Sequence, residues 1–328
     1  MAQYSLAKKT ESSDIVVDPA FRDDILAGFT AMPKTTPARW FYDQRGSELF
    51  EDITRLPEYY PTRIETQLLE THCAQVGQII GKGRAVVEFG AGSAAKTPHL
   101  LRQIDPAAYV PIDISGDFLR ESSAVLARDF PGLPVRPVEA DFLCPVQLPK
   151  ELANIPRLGF FPGSTIGNFD APAAVDLLRS LHWSLGEGAM LLIGIDRIKD
   201  ASVLVPAYDD TAGVTAQFNL NLLARINREL DGTIPLDAFR HLAVWNDDRA
   251  RIEMHLEAVR DVTFAIDSNR YSMRAGETIH TENSYKYGLR DARLLLRAGG
   301  WNPVNEWTDA GDMFSLFLAE AQPEKLAV

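Results

Sequence analysis

The chain has 328 residues, 46% of them hydrophobic and 24% charged, with a formal net charge of -12. That length can bury a large core and corresponds to about two domains, and the composition is that of an ordinary globular protein. The acidic balance argues against nucleic acid and anionic membranes as partners, since both select basic surfaces.

Residues 1–20 are polar without a clear period and read as a loose arm. A short helix is expected from Phe21 to about Thr30, closed by the region of Pro33 and Pro37. Residues 37–63, PARWFYDQRGSELFEDITRLPEYYPTR, hold Trp40, Phe41, Tyr42, Phe50, Tyr59 and Tyr60. Such rings pack a core, while a tyrosine also offers a rigid wall with one hydrogen-bonding tip for a small polar ligand. Helical spacing then runs from Arg63 to about Ile80 and stops at Gly81.

Strands and helices alternate from there. The expected order is strand Ala85–Phe89, helix Thr97–Ile104, strand Tyr109–Ile112 and helix Asp117–Phe130. Strand Val135–Glu139, strand Leu158–Phe161, helix Ala173–Leu185 and strand Ala189–Ile195 complete the run. This rhythm predicts an α/β fold, a parallel sheet with helices on both faces. Ligands of such sheets bind beyond the carboxyl ends of the strands, where Gly90, Asp113, Asp141 and Gly163 should converge on one cleft.

The pattern changes after Asp196. Residues 200–232 read as helical with Tyr208-Asp209-Asp210 near their start, and 236–285 alternate like antiparallel strands. A helix at 289–299 and two strands within 303–319, around Asp309-Ala310-Gly311, would suit the edge of the first sheet. The expected organisation is therefore discontinuous. Residues 1–60 plus 197–286 form an α+β substrate-binding domain, and 61–196 plus 287–328 form the sheet domain.

Cys73 and Cys144 supply neither a disulfide framework nor a thiolate metal site, so a reducing, cytoplasmic setting is expected. The start MAQYSLAKKTESSD lacks the apolar run of an export signal, and no apolar span is long enough for a bilayer. The six histidines show no ligand spacing, so no metal is expected.

Gly90-Ala91-Gly92-Ser93-Ala94-Ala95 is a glycine turn between a strand and a helix, with Lys96 beside the free N–H groups of the helix start. With Asp113 on the next strand end it fits a dinucleotide as well as S-adenosylmethionine (SAM), because either presents ribose hydroxyls to the acid. Three details favour SAM. Glu88 lies inside the strand, Asp141-Phe142 pairs an adenine acceptor with an apolar ring, and the acidic cleft carries one lysine.

Several blocks together resemble the L-histidine Nα-methyltransferases of ergothioneine biosynthesis. They are WFYD (40–43), LPEYYPTR (56–63), EFGAGSAAKT (88–97), GSTIGNF (163–169), AYDDTAGVTAQFN (207–219), RIEM (251–254) and TENS (281–284), and they span residues 20–318. The resemblance implies a Rossmann-like SAM-dependent methyltransferase sheet in which Gly90, Lys96, Asp113, Asp141 and Phe142 hold SAM. It implies that Tyr59, Asn168, Tyr208, Glu282 and Ser284 hold histidine, with Gly163, Tyr42 and Met254 lining the same pocket. Asn168 and Tyr42 would orient the amine. Asn283 is counted with this pocket, although strand alternation turns it to the face opposite Glu282. Without the resemblance, Glu282 would read as a surface carboxylate and Met254 as core.

The implied product is Nα,Nα,Nα-trimethylhistidine, reached through mono- and dimethyl forms, in a monomeric enzyme. A methyltransferase for another free amino acid, such as tryptophan or tyrosine, is the competing reading within the class. An NAD-dependent oxidoreductase and a non-catalytic SAM-binding sensor are the alternatives outside it.

Overall fold

The computed structural model describes residues 17–323; the arm expected before residue 17 lies outside them. Helix α1 (Pro19–Thr30) starts two residues before the expected Phe21, because Asp18 accepts the Ala20 N–H and Pro19 suits a first turn. After β1 (Lys34–Thr35) comes α2 (Gln44–Thr54), capped by the Asp43 carboxylate on the Gly46 N–H. Helix α3 (Tyr60–Ile80) carries Pro61 in its first turn and stops at Gly81, which takes a positive φ of 75°.

The alternating region follows as β2 (Ala85–Phe89), α4 (Thr97–Ile104), β3 (Ala108–Asp113), α5 (Gly116–Asp129), β4 (Val138–Glu139), β5 (Arg157–Phe161), α6 (Ala171–Leu185) and β6 (Met190–Asp196). Beyond it lie α7 (Ala201–Leu204), α8 (Val214–Glu229), β7 (Phe239–Asn246), β8 (Arg251–Ala258), β9 (Val262–Ile266), β10 (Asn269–Met273) and β11 (Thr278–Tyr285). The last elements are α9 (Leu289–Ala298), β12 (Trp301–Thr308) and β13 (Phe314–Ala321).

Seven strands form the main sheet in the order β12-β13-β6-β5-β2-β3-β4. The five from β6 to β4 run parallel, and β13 is antiparallel to both β6 and β12. Every residue of β2 and β6 is buried, as expected for strands covered on both faces. Residues of α3 and α4 pack one face, and those of α6 and α9 pack the other.

A four-stranded sheet, β1-β11-β8-β7, and the ribbon β9–β10 make the second body. Its core joins Phe21 and Phe29 of α1, Leu49 and Ile53 of α2 and Phe218 and Leu222 of α8 to the inward residues of the strands. We propose that the division between the bodies follows these cores, near residues 60/61, 196/197 and 286/287.

Two expected elements come out shorter. The strand expected over Val135–Glu139 is reduced to Val138–Glu139 plus one bridge from Val135 to Tyr109, because Pro137 has no N–H for the ladder. The helix expected over 200–232 is broken between residues 208 and 213. There the Asp210 carboxylate turns back to accept the Val214 and Thr215 N–H groups, at 2.9 and 2.7 Å.

Candidate active site

One cavity of about 510 Å³ lies beyond the carboxyl ends of β2, β3 and β5, walled on the other side by the aromatic N-terminal segment and by β8 and β11. Its first end is the turn after β2. Gly90 and Gly92 take positive φ values of 71° and 50°, and the Phe142 ring lies over the turn within ordinary contact distance of Gly90. Asp113 spans this turn, accepting from the Gly92 N–H at 3.0 Å and the Ser115 N–H at 2.9 Å. Burial raises the Asp113 pKa, and those backbone donors oppose the rise. Its oxygens keep further lone pairs for hydroxyls.

Asp141 accepts the Leu143 N–H at 2.9 Å and pairs with Arg39 at 3.0 Å. Lys96 pairs with Glu65, whose side chain has no exposed surface and also accepts the Gly163 N–H at 2.9 Å. Glu88 is buried under the turn, accepting from the hydroxyls of Thr97 and Tyr109, and burial pushes its pKa up to about 7. Arg39 and Glu65 were not foreseen from the sequence.

The second end is built by β11 and the 3₁₀ turn Thr165–Asn168. Glu282 and Ser284 both face the cavity, although the β11–β8 register shifts between His280 and Glu282. Burial pushes Glu282 up to about 7, with the Lys286 charge and the Asn168 side chain opposing. The Tyr208 and Ser284 oxygens are 2.7 Å apart. Tyr42, Tyr59, Met254, Gly163 and Asn168 complete this wall, together with Phe50 and Phe218. Burial holds the Tyr42, Tyr59 and Tyr208 hydroxyls well above the usual tyrosine pKa, so these phenols stay protonated.

Asn283 is a correction. It does not line the cavity; it lies on the other face of β11, paired in register with Glu253, and its buried Oδ1 has no partner there. The alternation of a strand decides this. On the same outer face Glu253, His255 and His280 form the one group among the described residues close enough to hold a cation. Glu253 already accepts from Arg251 at 2.8 Å and Asn246 at 2.9 Å, so the cluster is charge-paired without an ion. Among the described residues no helix is long and apolar enough to cross a membrane.

The sequence profile described as "Histidine-specific methyltransferase, SAM-dependent" matches residues 21–321. The chain belongs to that family. This decides the cofactor that the glycine turn alone left open. That cofactor is SAM, and Gly90, Lys96, Asp113, Asp141 and Phe142 all lie on the lining of this one cavity.

This methyltransferase is 41% identical over 310 residues to "Histidine N-alpha-methyltransferase" of Mycolicibacterium smegmatis, covering 92% of this chain and 94% of that one. It is 40% identical over 317 residues to the protein of the same name from Mycobacterium tuberculosis, with the same coverage. Among solved structures, magnesium protoporphyrin IX methyltransferase from Synechocystis PCC 6803, with bound SAH, gives a TM-score of 0.47 at 13% identity, covering 87% of this chain and 98% of that one.

Proposed function

We propose that the enzyme methylates the α-amine of L-histidine three times, giving trimethylhistidine (hercynine) and opening ergothioneine biosynthesis. The observation that carries this reading is the pairing of Glu282 with Ser284 on one wall of the cavity, opposite the glycine turn. Two polar groups that alternate along one strand face meet the two nitrogens of a single imidazole. A site built to pair with both rejects side chains that cannot return those bonds.

SAM, when bound, supplies an electrophilic methyl group on a sulfonium. The residues of the chain do the rest by placement. Asn168, Tyr42 and the Gly163 carbonyl orient the amine, Tyr59 donates to the substrate carboxylate, and Tyr208 stays with Ser284 at the imidazole. Fixing the amine lone pair in line can lower the barrier by several kcal/mol, up to roughly 7–11 in the best-aligned cases. Because burial keeps Tyr42, Tyr59 and Tyr208 protonated, the tyrosines act as donors and the amine proton leaves to water. Tyr42 and Phe50, whose rings meet edge to face with centroids 5.6 Å apart, offer π faces to a quaternary nitrogen as methyl groups accumulate.

The reaction belongs in the cytoplasm, in keeping with the two free cysteines, and the protein acts as a monomer on a small-molecule substrate. The test is to incubate the protein with SAM and a mixture of free amino acids and to follow mass gain. Histidine should gain three methyl groups. If histidine stays unmodified while tryptophan or tyrosine is methylated, the assignment is wrong.

A further inference from the structure

Ser284 and Tyr208 rest on a buried ionic network. The Lys286 ammonium donates to the Tyr208 oxygen and to the Ser284 oxygen, each at 2.8 Å. Its remaining proton faces Asp196, 2.7 Å away, and the Lys286 side chain has no exposed surface. Lys199 meets the other Asp196 oxygen, Oδ1, at 2.6 Å, while the Tyr60 hydroxyl donates at 2.7 Å to Oδ2, the oxygen that Lys286 faces. Burial alone would raise the Asp196 pKa, but the two ammonium groups outweigh it and hold the acid ionised.

Counting protons decides what the pair presents to the cavity. An ammonium has three donors and no lone pair, so Lys286 is saturated by Asp196, Tyr208 and Ser284. The two hydroxyls own two protons, and one of these is spent between them, whichever oxygen donates. The other proton is left for the substrate. Glu282, two residues before Ser284 on the same strand face, supplies an acceptor beside it.

We propose that Lys286, anchored on Asp196, is a positioning residue that fixes the Ser284–Tyr208 pair as a donor, so that the pocket takes the neutral imidazole ring and rejects the imidazolium. This inference rests on the histidine reading above. A neutral ring has one N–H for Glu282 and one lone pair for the free hydroxyl proton. An imidazolium would set a second N–H against that proton. With Lys286 removed, the hydroxyl oxygens regain lone pairs and can accept from the charged ring.

The titratable groups that face this network are Asp196, Lys199, Tyr60, Tyr208, Glu282, Tyr59, Tyr287 and, on the Lys199 side, Asp309. Burial raises the tyrosines, which leaves Glu282 at about 7 and Lys199 at about 8 near neutrality. Since the lysine charge itself lowers the Glu282 pKa, the protonation state of the ring is best read directly.

The full-length protein, saturated with S-adenosylhomocysteine, is titrated with ring-¹⁵N histidine near pH 6, where a free ring with a pKa of about 6.5 is largely protonated. The bound ring should show one protonated and one unprotonated nitrogen. In Lys286→Met both nitrogens should be protonated. There KM for histidine should rise roughly tenfold or more while kcat and S-adenosylhomocysteine affinity change far less. An imidazolium bound to the unaltered protein overturns the inference, whether or not the variant folds. A folded variant with unchanged KM and ring state overturns it too, as does an equal loss of both ligands. If the unaltered protein neither binds nor methylates histidine, the functional reading fails and this one with it. If it turns over histidine bound as the imidazolium, this inference fails alone.

Discussion

Half-buried Glu282 and buried Glu88 are both carboxylates pushed up to about 7, yet they face different neighbours. Glu282 lines the substrate end, so Glu282→Ala should lower the preference for histidine over tryptophan and tyrosine by about ten- to a hundredfold, read as relative methylation in a competition assay. Unchanged preference would remove Glu282 from the pocket. Glu88 offers a stability test. Its folded pKa lies above the ordinary 4.5, so between those values the folded state binds more protons than the unfolded one, and stability falls as pH rises. Glu88→Gln keeps an acceptor for Thr97 and Tyr109 and escapes ionisation. Its stability relative to the unaltered protein should therefore grow by up to about 3 kcal/mol between pH 4.5 and 7, measured by denaturant unfolding. Lys286 was within reach of the sequence, since it continues the alternation of Glu282 and Ser284, but a lysine is ordinarily solvated and reads as surface. Glu65 carried no signal, because its partners Lys96 and Gly163 stand 31 and 98 residues away.

The 3₁₀ turn Thr165–Asn168 owes its place to one close approach. Gly167 packs on β11, where an added Cβ would lie 2.8 Å from the Tyr285 carbonyl oxygen. Gly167→Ala should push the turn off the strand and part Asn168 from Glu282. The expected result is a loss of about tenfold or more in kcat/KM for histidine, with S-adenosylhomocysteine affinity changed far less. Equal loss of both would mean that the turn serves the whole cavity rather than its substrate end. Elements of this kind are hard to read in advance, since they follow from a partner strand more than a hundred residues downstream. The strands and helices of the main sheet were legible because their apolar runs and caps are local. Where a local rule competed, it won: Pro137 cut β4 short, and Asp210 ended the helical run before α8.

The cavity draws its walls from distant parts of the chain, with Arg39 and Tyr42 from the N-terminal segment, Asp113 and Asp141 from the main sheet and Glu282 from the second sheet. Arg39–Asp141 and Tyr60–Asp196 tie the N-terminal part of the chain to the strand ends of the main sheet. S-adenosylhomocysteine at ~100 times its Kd should add about 2.7 kcal/mol of stability. The accompanying amide-exchange protection should appear at Ala38–Phe41 as well as at the Gly90–Gly92 turn. Protection confined to the sheet loops would contradict a shared cavity. The antiparallel strands of the second sheet were visible in the change of rhythm after Asp196, but their closeness to the strand ends of the main sheet was not, because it depends on single side chains far apart in sequence. The position of β13 has a different consequence. It lies between β6 and β12 and is buried along almost its whole length. A chain clipped in the Asp309–Asp312 turn, or arrested before Phe314, would leave β6 as a bare apolar edge and β12 without a neighbour. Unpaired edges of that kind recruit strands from other chains. Loss of these eight residues would therefore be felt first as self-association, and only then as lost turnover.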